Sequence, residues 1–126
     1  MNMYQEELLD HFKYPRNNIP LESPTFSSDK KNPSCGDVMH IEGTLAGNVL
    51  TQVAFQGSGC VISQATASML TEQSLHKTTE QILALTEQDI LDLIGIELGP
   101  VRIKCALLSL QALQEGISGY LNQLKG

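Results

Sequence analysis

Tryptophan is missing from this chain, and aromatic residues make up only 5% of its 126 positions. A core built here must be aliphatic, from Leu, Ile, Val and Ala. Basic residues are also scarce: eight Lys and Arg against 14 Asp and Glu leave a formal net charge of −6. Such a chain does not attract a phosphate backbone, so nucleic acid is not an expected partner. No apolar run reaches the roughly 18 residues that a membrane span needs, so no membrane partner is expected either. The opening MNMYQEELLDHFKYPRN lacks the basic start and apolar stretch of a signal peptide, and the expected location is the cytoplasm. Cysteine is limited to Cys35, Cys60 and Cys105, an odd number with no C-x-x-C pair. That spacing excludes a disulfide scaffold, a zinc ribbon and a thioredoxin-type motif. What is present suffices for a packed core: 41% hydrophobic and 17% charged residues, in a length that argues for one domain over residues 1–126.

Residues 3–13 have the spacing of a short amphipathic helix, with Tyr4, Leu8, Leu9 and Phe12 on its apolar side and Pro15 ending it. From Pro15 to Pro33 the composition is that of a loop, long enough to be mobile or functional, with a short extended piece around Thr25–Ser28. Val38–Leu45 and Val49–Phe55 alternate as strands do, the second with Val49, Thr51, Val53 and Phe55 on one side. Ala46-Gly47-Asn48 between them is a turn signal, so residues 38–56 are expected to form an antiparallel hairpin. After Gly57-Ser58-Gly59 the period becomes helical, from Val61 to about Leu75. Short helices open at Thr79 and Thr86. A last one follows Gly99-Pro100, with the apolar stripe Ile103, Ala106, Leu107, Leu110, Leu113, Ile117, Tyr120, Leu121 and Leu124. The expected fold class is α+β: a small antiparallel β-sheet with helices packed on one face.

Three strings carry thiols. Asn32-Pro33-Ser34-Cys35-Gly36-Asp37 lies where loop meets strand. If extended, it points Cys35 and Asp37 to one side, a thiolate and a carboxylate suited to a metal. Its plainer reading is a turn in which Asp37 caps backbone amides. Gln56-Gly57-Ser58-Gly59-Cys60 sets a thiol at a helix start, where the dipole and free N–H groups favour thiolate. An anion cradle or a purely structural turn are its alternatives. Arg102-Ile103-Lys104-Cys105 sets a thiol in the first turns of the last helix beside two cations. A small residue packed between helices is the plainer reading there. Together, Cys35, Asp37, Cys60 and Cys105 would complete a tetrahedral metal site; otherwise the cysteines are buried structural thiols.

With these motifs the chain resembles the iron–sulfur cluster assembly scaffolds of the IscU, SufU and NifU N-terminal type, over essentially its whole length. Tyr4-(x)5-Asp10-His11-(x)3-Pro15-Arg16-Asn17 is similar to the family's opening signature. Cys35-Gly36-Asp37, Gly59-Cys60 with Ser63, Ala65, Ala67 and Ser68, and Val101-Arg102-Ile103-Lys104-Cys105 are similar to its three cysteine motifs. The resemblance implies an IscU/SufE-like fold, with Cys35, Asp37, Cys60 and Cys105 as ligands for zinc or a transient [2Fe–2S] cluster. It implies a scaffold and sulfur acceptor that passes a cluster to apoproteins or carriers; the thiol expected to take persulfide sulfur from a cysteine desulfurase is Cys35, on its loop flanked by Pro33 and Gly36. Its alternative is a zinc-dependent sulfurtransferase of SufU type, or a zinc-stabilised interaction module.

This sequence departs from both branches. Lys104 stands where the IscU branch has His, as in the SufU branch, yet the 44 residues between Cys60 and Cys105 leave no room for the SufU insertion. Leu98-Gly99-Pro100-Val101-Arg102 matches the IscU chaperone-recognition segment only in part, so the resemblance does not carry a chaperone over as a partner. None of His11, His40 and His76 is expected to be a ligand: His11 suits a structural hydrogen bond, His40 an exposed strand face, His76 a helix C-terminus. A thiol hydrolase using Cys60 would need a His within hydrogen-bond reach.

Overall fold

The structure, a computed structural model, describes residues 2–33 and 36–125. Along the chain run α1 (Met3–Lys13), β1 (Phe26–Asn32), β2 (Asp37–Ala46), β3 (Val49–Ser58), α2 (Val61–Ser74), α3 (Thr79–Leu83), α4 (Glu87–Ile94) and α5 (Pro100–Lys125). The strands form one antiparallel sheet in the order β1-β2-β3. α5 lies across β1 and β2, and α2 packs on both α5 and β3, which gives the expected α+β architecture. Side chains fix the helix starts. Asn2 with Gln5, Thr78 with Gln81 and Thr86 with Asp89 each form a reciprocal capping box.

The polar segment from Pro15 to Pro33 departs from the expected loop. Its end is the seven-residue strand β1, longer than the extended piece expected around Thr25–Ser28. FSSDKKN hides a strand because its only large apolar side chain is Phe26. The Phe26 ring fits between two glycines: a Cβ on Gly43 or Gly116 would lie 2.6 or 2.8 Å from it. A polar edge strand also resists pairing with other chains. Nor is the first half of the segment loose. Arg16 N–H donates to Ser68 Oγ (2.9 Å) and Leu21 N–H to Glu42 Oε2 (2.7 Å). Phe55 N–H donates to the Asn17 carbonyl and the Asn18 amide to the Phe55 carbonyl, both at 2.9 Å. Of the two expectations for this loop, mobile or functional, the first does not describe its first half, a strap bound to α2, β2 and β3.

The hairpin β2–β3 forms as expected around Gly47-Asn48 but contains a bulge. Thr44 pairs with Gln52 and Leu45 with Leu50, which leaves Thr51 as an extra residue whose hydroxyl donates to the Thr44 carbonyl. One extra residue reverses the facing of the strand. Leu50 is therefore buried before the bulge and Val53 and Phe55 after it, while Val49 and Thr51 leave the face expected for them. The stripe on α5 is wider than expected, because this helix is covered by the sheet on one side and α2 on another: Cys105, Leu108, Ser109 and Ala112 are buried too, and Leu124 is exposed. On α1, Leu8 and His11 are buried and Tyr4 and Phe12 are not.

Candidate metal centre

Three elements end or begin at one place. Asp37 is the first residue of β2. Cys60 is the N-cap of α2, reached directly from the end of β3, and Cys105 lies in the second turn of α5. The pairing of Val38 with Ser58 sets the start of β2 beside the end of β3. Gly59 then turns the chain into α2 with φ +149°, and a Cβ on it would collide with the Asp37 carboxylate. No side chain but glycine lets the chain turn there with that carboxylate in place.

One carboxylate oxygen of Asp37 and the sulfurs of Cys60 and Cys105 lie within 4.8 Å of one another. The Cys60 thiol donates to Asp37 Oδ2 at 3.4 Å, and the Cys60 N–H donates to Oδ1 at 3.3 Å. Asp37 thus does both things the sequence leaves open: it caps a backbone amide, that of a helix start 23 residues away, and it faces thiols. Asp37 and Cys105 are buried, at 3% and 2% exposure, and Cys60 is half-buried. A buried carboxylate facing two sulfurs fits a divalent metal. The cation offsets the desolvated charge, and thiolates with one carboxylate suit zinc or iron.

Two more side chains adjoin the cluster. Asn32, buried and paired in register with Asp37, points its amide nitrogen at Cys105 Sγ, 3.9 Å away. Ser63 donates to the Cys60 carbonyl at 3.1 Å. As a contact of Cys105, Asn32 has no local signal, because it arises between residues 73 apart. Cys35, the fourth expected ligand, lies outside the described residues.

The histidines stand elsewhere. His11 is buried with Nδ1 2.7 Å from Ser68 Oγ. Arg16 N–H uses that same oxygen as acceptor, so the Ser68 hydroxyl proton is available to Nδ1. Burial, then the Arg16 charge, hold His11 below its ordinary pKa, against Glu72, Glu7 and Asp10. The opening D-H-(x)3-P-R-N signature is therefore a lock: Arg16 also pairs with Asp10 at 2.6 Å, and the Asn17 carbonyl receives Phe55 N–H. His40, on the outer sheet face, sits between Asp29 (2.9 Å) and Glu42 (2.8 Å). Burial opposes its charge, but the hydrogen bonds to Glu42 and Asp29 and their charges prevail and raise its pKa. His76, just past α2 with φ +69°, is exposed. Among the described residues Cys60 has no histidine partner, which removes the support for a thiol hydrolase.

A three-stranded antiparallel sheet carrying α2 and α5, with a carboxylate and two thiols gathered at its end, defines a class of small α+β proteins whose residues could hold a metal there. The family follows. Residues 3–125 match the model of the NifU-like N terminal domain, and this chain belongs to that family. It is 34% identical to the zinc-dependent sulfurtransferase SufU of Bacillus subtilis, with 92% of this chain and 90% of the relative covered. It is 38% identical to the iron-sulfur cluster assembly scaffold protein IscU of Aquifex aeolicus, covering 94% of this chain and 76% of the relative. The SufU alignment spans 133 positions, more than this chain has, so that relative carries residues missing here. Among solved structures, a putative iron-sulfur cluster assembly scaffold protein for the SUF system from Fervidobacterium islandicum superposes with a TM-score of 0.79 at 25% identity, over 89% of this chain and 94% of the other. No helix among the described residues is long and apolar enough to cross a membrane.

Proposed function

We propose that this protein is an iron–sulfur cluster assembly scaffold that accepts persulfide sulfur from a cysteine desulfurase and passes its cluster to apoproteins or carriers. The observation that carries the reading is the convergence of Asp37, Cys60 and Cys105, contributed by three separate elements of a NifU-like N terminal domain. With Cys35, these residues would hold zinc or a [2Fe–2S] cluster, the thiolates supplying the soft ligands that both require. Cys35 is the entry thiol in this reading. Its thiolate attacks the outer sulfur of the donor's persulfide, a new S–S bond forms on Cys35, the donor's S–S bond breaks, and the donor thiolate leaves. One S–S bond replaces another, so no oxidant or reductant is consumed. Cys60 and Cys105 are held by helices, suited to ligation rather than to reaching out.

The SufU relative, named a zinc-dependent sulfurtransferase, supports a second reading, sulfur transfer with bound zinc and no cluster. One experiment separates the two. Protein incubated with a cysteine desulfurase and cysteine is mapped for persulfide by peptide mass spectrometry, then reconstituted anaerobically with iron and sulfide. Persulfide on Cys35 together with a stable visible cluster spectrum supports the scaffold. Persulfide with bound zinc and no cluster supports the transferase. Sulfur entering a Cys35→Ser variant at the parent's rate removes Cys35 as the entry point.

A further inference from the structure

Beside the metal centre, on the far side of Asn32, lies a cavity of about 390 Å3 between the end of β1 and the start of α5. Lys30, Lys31 and Lys104 line it, with Asn32, Leu107 and Gln111. Among the described residues, no acidic one lines it. Lys30 is bound to Glu115 at 3.1 Å, but Lys31 and Lys104 are exposed and form no ion pair among the described residues. In a chain of net charge −6 with eight basic residues, three gather here. Asn32 is shared: it lines this cavity and reaches Cys105 Sγ. A protein docking on the centre therefore meets these ammonium groups at its edge.

We infer that this lysine rim docks an acidic segment of the sulfur-donating protein, and that Lys31 and Lys104 orient the encounter. The inference rests on the scaffold reading above and adds to it the charge of the partner's surface. Charge complementarity carries it. Three of the eight basic residues of a net-acidic chain stand at this rim, so an acidic partner is drawn toward the end of the molecule where Cys60 and Cys105 lie. Exposed rim charges act on association rate and its salt dependence. Lysine ammonium groups, flexible and strongly hydrated, serve as such point charges without fixing a rigid pose.

The test is the second-order rate of persulfide transfer from a cysteine desulfurase, measured with full-length protein at low and high ionic strength. The variants are Lys31→Glu with Lys104→Glu, and a control pair of equal charge change, Lys13→Glu with Lys125→Glu. Zinc content and thermal unfolding verify that each is folded. The expected result is a parent rate that falls steeply with salt, a rim variant about tenfold slower at low salt and nearly insensitive to salt, and a control close to the parent. Equal slowing of rim and control pairs means net charge alone acts, and overturns the rim. So does a rim variant within about twofold of the parent at low salt, beside the tenfold expected. A parent that takes no sulfur at all overturns the scaffold reading itself, and the rim with it.

Discussion

The contact between Asn32 and Cys105 gives the sharpest prediction at the scale of single residues. Side chains that hydrogen-bond to metal ligands orient them and tune the metal, and their loss commonly costs about 10–100-fold in affinity. Asn32→Leu keeps the volume and removes the amide beside Cys105 Sγ. It is expected to weaken zinc binding within that range, by competition with a chromogenic chelator, and to shift the thiolate-to-metal absorption of the cobalt-substituted protein. Gln at the same position should restore part of both. Asp37 permits a prediction of the opposite sign. An oxygen ligand holds an iron–sulfur unit less firmly than thiolate does, so a cluster on Asp37→Cys should decay more slowly in air than on the parent. Faster loss of its visible absorbance would count against Asp37 as the residue that keeps the cluster transferable. Gly59→Ala sets a Cβ against that carboxylate at φ +149°. It should cost about 1–3 kcal/mol in urea unfolding.

Elements are held together by two histidines whose pH responses oppose each other. His11 joins α1 to α2 through Ser68, and its pKa is lowered by burial and Arg16. Its stabilising effect is present above the ordinary histidine value and is lost as pH falls below it toward the lowered folded value. His40 clasps β1 to β2 between Asp29 and Glu42, and its pKa is raised. That stabilisation is fully present below the ordinary value and lost as pH rises through the raised one. Urea unfolding across pH 5 to 9 should show His40→Gln losing most stability at the acidic end. His11→Asn should flatten the parent's decline on acidification. These elements were not equally legible in the sequence. The helix starts were, because threonines and Gly-Pro announce themselves locally, and Gly-Ser-Gly before Cys60 marked the turn into α2. β1 was not, since FSSDKKN has one apolar anchor and its partners, Gly43 and Gly116, are distant in sequence. Nor was the bulge at Thr51, because one extra residue leaves no trace in composition. The candidate ligands were legible as residue types, but their meeting depends on three junctions that only the folded chain brings together.

At the scale of the whole molecule, metal and fold should be linked. Ligands that come together only in the native chain turn binding free energy into folding free energy. Removing zinc with a chelator should lower the unfolding temperature. Restoring it should raise that temperature in the parent, and much less in Cys60→Ala or Cys105→Ala, as calorimetry would record. A parent whose unfolding temperature ignores zinc would break the link between these residues and the metal.

The spacing of Asp37, Cys60 and Cys105 can also be viewed as a topology of closed loops. A single ion joined to all three would tie one loop of 23 residues, made of the hairpin, and a second of 45 residues, made of α2, α3, α4 and the start of α5. The entropy of closing a loop grows only with the logarithm of its length, so one clip restrains both lengths at nearly the same entropic cost. Releasing the clip frees both loops at their shared knot, while the Phe26 contacts and the α1 lock remain closed. Amide hydrogen exchange in chelated protein should therefore accelerate first around Asp37, Gly59 and Cys105. Protection in the middle of β2 and in α5 beyond Leu108 should persist, the pattern of a molecule that would release a bound metal by opening at one end rather than by unfolding.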